Sequence, residues 1–157
     1  MPGAGKSTIG KMLAKQLGFK FVDLDLLIKE KERRSHADIL EKDGIDALLS
    51  VEEKYTLDLD LAKTVFSPGG SIIYSSEAMK KISEESTIFY LELPLKEIKR
   101  RLGKGIETRG IVGLREKGLE ILFAERTPLY KSSAQHTISC SFLNDQAIVS
   151  KIVNLIQ

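Results

Sequence analysis

The sequence predicts an α/β fold of three layers, with a mostly parallel sheet held between helices. Short β-rich runs alternate with longer stretches of helical period, the pattern of βαβ units whose sheet is covered on both faces. A glycine-rich turn, Gly3-Ala4-Gly5, also leads straight into Lys6-Ser7-Thr8 and an amphipathic helix. With 157 residues, 42% of them hydrophobic, the chain can bury one core and not two, so residues 1–157 read as a single domain.

Each element follows from local chemistry. Lys6 to Leu17 reads as a helix with Ile9, Met12, Leu13 and Leu17 on one face and Gly18 as its stop. Phe19 to Val22 is a short strand ending at Asp23. Leu24 to Arg33, Ser35 to Glu41 and Asp46 to Leu61 follow as helices, with Ser35 and Asp38 suited to an early turn and Gly44 as a separator. Thr64 to Phe66 is a strand that runs into Ser67-Pro68-Gly69-Gly70. Glu77 to Ser83 is helical, and Thr87 to Leu91 is the clearest buried strand. Leu95 to Leu102 is a helix whose basic residues Lys99, Arg100 and Arg101 favour its C-terminal end. Residues 104–114 carry three glycines and little periodicity, a mobile loop. Leu119 to Ser132 is helical around Pro128, His136 to Cys140 is a strand, and Asp145 to Ile156 is the closing helix.

Composition excludes several classes. Charged residues make up 29% of the chain at a net charge of +2, scattered rather than striped, and aromatics are only 6%, which argues against nucleic acid as a partner. No apolar run is long enough for a bilayer span, and no signal-peptide pattern opens the chain. Cys140 is the lone cysteine, so neither an internal disulfide nor a thiolate metal site is possible and a reducing cytoplasm is expected.

The first helix carries the strongest chemical signal. Phosphate oxygens need many donors at close range; Gly3, Ala4 and Gly5 let backbone N–H groups approach, and the helix N-terminus adds partial positive charge. Lys6 would reach the β- and γ-phosphates of ATP, with Thr8 beside it, and the Ser7 hydroxyl would ligate Mg²⁺. The full loop pattern G-x-x-x-x-G-K-S asks for a glycine just before Met1 and a strand before that. A sheet lacking this first, central strand would show a groove with unpaired backbone groups on both sides.

The acceptor of the phosphoryl group is expected opposite that loop. Asp23 and Asp25 stand at the end of the second strand, where one could orient Mg²⁺-bound water and the other accept a hydroxyl proton; Asp25 could equally cap a helix. Gly69 and Gly70 offer either a plain turn or a backbone surface for a substrate. Arg126 is suited to bidentate capture of a carboxylate, although a lone arginine on a helix is usually a surface ion pair. Arg109 sits in the glycine-containing loop, placed to close over transferred phosphate.

Taken together and in order, these segments resemble the shikimate kinase family of P-loop small-molecule kinases. Pro2-Gly3-Ala4-Gly5-Lys6-Ser7-Thr8 is similar to its phosphate loop, and Asp23-Leu24-Asp25 to its D-x-D element. Ser35-His36-Ala37-Asp38-Ile39 resembles its S-I-A-D-I, and Ser67-Pro68-Gly69-Gly70-Ser71 its triple-glycine motif. Arg109-Gly110-Ile111-Val112 falls where the lid carries R-P-L-L, and Glu125-Arg126-Thr127-Pro128-Leu129-Tyr130 resembles E-R-x-P-L-Y. The resemblance implies a cytoplasmic monomer that uses ATP and Mg²⁺ to phosphorylate shikimate to 3-phosphoshikimate, in aromatic amino-acid biosynthesis. It implies that Ser7 and Asp23 support the metal, that Asp25 contacts the acceptor hydroxyl, and that Gly69 and Gly70 line the acceptor pocket. Arg126 would pair with the acceptor carboxylate and Arg109 would stabilise the transferring group. Residues 24–61 become an acceptor-binding helical region, and residues 104–114 a lid.

The departures are specific. Where the family carries F-R-x-x-E, this chain has Leu48-Leu49-Ser50-Val51-Glu52, so Leu49 replaces an arginine that shares the carboxylate; Ser71 replaces the third glycine and Gly110 the lid proline. A related gluconate or nucleoside monophosphate kinase, or a nucleotide-binding protein without catalysis, are the alternative readings. In the family a Met-Pro-Gly string commonly follows a glycine inside the loop. An upstream apolar strand of about eight to ten residues is therefore expected, and without it a weakly stable chain, prone to aggregate and poor at holding ATP.

Overall fold

The computed structural model describes residues 1–103, 106 and 110–156. The chain opens into helix α1 (Lys6–Leu17), then strand β1 (Lys20–Asp23), helices α2 (Leu24–Glu32), α3 (His36–Asp43) and α4 (Ile45–Leu57), and strand β2 (Thr64–Ser67). A 3₁₀ turn at Ile72–Tyr74 precedes α5 (Ser76–Glu85), β3 (Phe89–Glu92), α6 (Leu95–Leu102), α7 (Leu114–Ser133), β4 (His136–Ser139) and α8 (Asp145–Ile156). Strands and helices alternate as predicted, and every strand pairing is parallel.

The sheet comes in two halves. β1 pairs with β2, Lys20 opposite Thr64 through Asp23 opposite Ser67, and β3 pairs with β4, Phe89 opposite His136 through Glu92 opposite Ser139. Among the described residues no ladder joins the two pairs. Between them runs an apolar cavity of about 560 Å³, bordered by Val65 and Phe66 on one side and Tyr90 and Leu91 on the other, with Ile9 and Leu13 of α1 along it. The groove with free strand edges that the sequence predicts is present.

Each half has its own core. Ile9 and Leu13 of α1, Leu91 of β3, Ile98 and Leu102 of α6, and Ile148, Val149 and Ile152 of α8 form one buried cluster. Leu24 and Ile28 of α2, Ile39 of α3, Leu48 of α4, and Ala78 and Ile82 of α5 form the other. α1 packs on both α8 and β2, so the helix that begins at the glycine turn ties the halves together.

Caps explain several boundaries. Ser35 and Asp38 form a reciprocal capping box at the start of α3, which satisfies two otherwise orphaned amides. α2 is capped by Asp23 and not by Asp25: Asp23 Oδ1 accepts from the amides of Asp25 and Leu26 at 3.1 and 3.3 Å. That arrangement leaves Asp25 free, because one carboxylate already serves the helix start. α7 begins at Leu114, before the expected Leu119, and Gly118 breaks its path at φ 78°.

Candidate active site

The C-terminal ends of β1 and β2 and the N-terminus of α1 converge on a second cavity of about 400 Å³. Ligands bind at this place in open α/β sheets. Gly5 is the residue before α1 and adopts φ 91°, a left-handed conformation that glycine takes without strain; no side chain caps the helix, so its first amides face the cavity with the helix dipole behind them.

Gly3, Gly5, Lys6, Ser7 and Thr8 line this cavity, whereas Ala4 turns its methyl into the core at 4% exposure and can offer only its backbone. Lys6 Nζ donates to the Met1 carbonyl at 3.3 Å. Burial lowers the Lys6 pKa, and the facing Asp25 and Asp23 carboxylates oppose that shift. Ser7 Oγ donates to Asp23 Oδ2 at 2.5 Å, bringing a hydroxyl and a carboxylate together on the cavity floor. Such a pair of hard oxygens fits a magnesium ion held mainly by phosphate and water.

Across the cavity stand Asp25, Gly69, Gly70 and Arg126, the expected acceptor side. Asp25 keeps 61% of its side-chain surface open. The surrounding walls still strip water from its carboxyl and raise its pKa, against the pull of His36 and Lys6. Gly69 is required by space, because a Cβ there would stand 2.4 Å from Glu52 Oε1 and 3.4 Å from Asp25 Oδ1. The Gly70 carbonyl accepts from the Tyr130 hydroxyl at 2.7 Å, which fastens that turn to α7.

Arg126 is not the surface ion pair that a lone helix arginine usually makes. It is 1% exposed, donating through Nε to the Tyr74 hydroxyl at 3.1 Å and through Nη2 to the Val112 carbonyl at 2.7 Å. Among the described residues no carboxylate lies within 4 Å of it, so a buried guanidinium faces the cavity without an anion. Arg109 and four other residues of the expected lid lie outside the described residues; Gly110, Ile111 and Val112 line the cavity rim. Leu49 does not line the cavity and packs against the second core cluster.

Glu52, His36 and Arg101, none of them among the sequence-predicted site residues, also line the cavity. Glu52 carried a readable signal: it lies one turn beyond the buried Leu48 on α4, an acid on an apolar face, and is 1% exposed with Oε2 accepting from Ser71 Oγ at 2.6 Å. His36 likewise occupies an apolar place in its motif.

A phosphate cradle at a helix start, a lysine and a hydroxyl–carboxylate pair beside it, and a free acid opposite define a P-loop phosphotransferase. Comparison with known proteins narrows the class. Residues 2–157 match the family profile described as SKI: Shikimate kinase. The chain is 33% identical to the shikimate kinase of Persephonella marina (strain DSM 14350 / EX-H1) over 156 residues, covering 99% of this chain and 94% of that protein. It is 34% identical to the shikimate kinase of Mycobacterium avium (strain 104), covering 98% and 88%. Among solved structures, the shikimate kinase from Acinetobacter baumannii in complex with shikimate superposes with a TM-score of 0.89 at 28% identity, covering 99% of this chain and 88% of that one. The enzyme from Bacteroides thetaiotaomicron shares the fold at a TM-score of 0.80 and 23% identity, covering 98% and 93%. This chain belongs to the shikimate kinase family.

Proposed function

We propose that the protein transfers the γ-phosphoryl group of ATP to a hydroxyl of shikimate, giving 3-phosphoshikimate and ADP. The observation that carries this reading is the buried Arg126 without a carboxylate partner, facing the same cavity as Lys6 and Asp25. An acceptor bearing both a carboxylate and a hydroxyl answers both sides of that wall. Gluconate also carries a carboxylate and hydroxyls, and the shikimate kinase family match favours shikimate over it; a nucleoside monophosphate has no carboxylate for Arg126.

In this reading the backbone amides of Gly3 to Thr8, from the glycine turn into the start of α1, and Lys6 orient the triphosphate. Ser7 and Asp23 hold Mg²⁺, which supplies charge neutralisation to the phosphates. Asp25 accepts the proton of the attacking hydroxyl, and its raised pKa makes it a better base. Gly69 and Gly70 present backbone to the acceptor ring, and Arg126 takes its carboxylate. Arg109 stabilises the transferring group as part of a lid over residues 104–114, and residues 24–61 form the acceptor-binding region. The enzyme acts as a cytoplasmic monomer on small molecules, without nucleic acid or membrane. No helix among the described residues is long and apolar enough to cross a membrane.

A coupled assay of ADP release tests this reading with shikimate, gluconate and nucleoside monophosphates supplied in turn. Shikimate-dependent ADP release is expected; release with another acceptor alone overturns it.

A further inference from the structure

His36 opens α3 and points into the active-site cavity, 11% exposed, and its Nε2 forms no hydrogen bond. That nitrogen lies 3.5 Å from Asp25 Oδ1 and 3.5 Å from Glu52 Oε1. The two carboxylates belong to different helices and differ in freedom. Glu52 is buried and anchored through Ser71 Oγ, whereas among the described residues no hydrogen-bond donor holds the Asp25 carboxylate. Asp25, His36 and Glu52 each bring one ligand-type atom within 4.8 Å of the others, close enough for two unscreened carboxylates to repel. The backbone of Gly69 closes one side of this cluster. That of Gly110, at the cavity rim, rests on the peptide joining His36 to Ala37, where a Cβ would come 2.4 Å from the Ala37 nitrogen.

We propose that His36 is a positioning residue for phosphoryl transfer: it bridges Asp25 to the anchored Glu52 and so holds the Asp25 carboxylate toward the acceptor hydroxyl. The proposal rests on the reading of Asp25 as the group that meets that hydroxyl. Phosphoryl transfer depends on placement more than on covalent chemistry, so an acid free to rotate loses rate even where binding is intact. When protonated, the imidazole also places a positive charge between the two carboxylates. The charged groups facing His36 are Asp25 from α2, Glu52 from α4 and Asp23 at the end of β1, with Lys6 and Arg126 across the cavity. Burial alone would lower the His36 pKa, but Glu52 and Asp25 outweigh it and the pKa is raised. The S-I-A-D-I motif has isoleucine at this place, so the imidazole distinguishes this chain from that pattern.

Two measurements on the full chain test the proposal. The first is an NMR titration of the His36 ring in ¹⁵N-labelled protein without substrates, in the parent and in Glu52→Gln. The midpoint should fall by about one pH unit in the variant; an unchanged midpoint means there is no bridge and overturns the proposal. This experiment needs no acceptor, so failure of the parent to phosphorylate shikimate would defeat the proposed function and leave this result readable. The second is kinetic. His36→Leu should lower kcat about 10- to 100-fold, with KM for ATP and acceptor within about two-fold. His36→Gln, which restores a donor near Nε2, should keep at least about half of kcat. Equal losses in the two variants, or a raised acceptor KM at unchanged kcat, overturn the positioning role. If His36→Leu does not fold, the titration and the His36→Gln rate decide.

Discussion

Replacing Arg126 by methionine removes the charge and keeps the length of the side chain. In the free protein the guanidinium donates to Tyr74 and Val112 and leaves its Nη1 beside Gly70, where a Cβ would stand 3.2 Å away. A hydrogen bond to a charged group is worth about 1.5–3 kcal/mol, so kcat/KM for shikimate should fall about 10- to 100-fold at 1.4 kcal/mol per decade. Stability moves less. The Val112 carbonyl loses its donor at about 1–3 kcal/mol, while removal of a buried cation with no anion offsets part of that penalty. The variant should therefore melt cooperatively, which separates binding from folding. The decisive assay pairs the variant with the methyl ester of shikimate. In the parent, esterification should lose the same factor as the mutation; in Arg126→Met, acid and ester should be used alike. Equal loss on esterification in both proteins would refute the assignment of Arg126 to the carboxylate.

Lys6→Met should abolish turnover with little change in melting temperature, checked by ADP release and calorimetry. Gly69→Ala should displace Glu52, since the new methyl would meet Oε1 at 2.4 Å, and its acceptor KM should rise. At the surface, side-chain hydrogen bonds from Arg100 and Arg101 lower the Glu97 pKa from 4.5 to about 2. A depressed carboxylate contributes stability above its unfolded pKa and loses it as pH falls through the folded value. Glu97→Gln should thus flatten a small part of the melting-temperature decline between pH 4.5 and 2.

The phosphate loop was legible because its chemistry is local: Gly5, Lys6 and Ser7 are neighbours in sequence and remain neighbours in space. The helices α1, α6 and α8 were legible to the residue from their apolar period and their stops. β2 extends to Ser67 because Ser67 pairs with Asp23, a partner that no window around it contains. The capping role went to Asp23, since cap choice depends on backbone angles at the strand end that D-x-D spacing does not decide. Arg126 reads as a surface residue from its helix alone; its burial arises from Tyr74 and Val112, distant in sequence. His36 and Glu52 meet because α3 packs on α4, and Asp25 joins them because both helices pack on α2, so their joint role is a property of the fold.

The central claim is that one cavity joins a phosphate cradle to a carboxylate-reading acceptor wall. Phosphorus-31 NMR of the full chain with ATP, Mg²⁺ and shikimate tests it most directly. The account predicts a new phosphomonoester resonance that grows in step with ADP and requires shikimate. ATP that binds but yields no such resonance, or yields one only with gluconate or a nucleoside monophosphate, would contradict it.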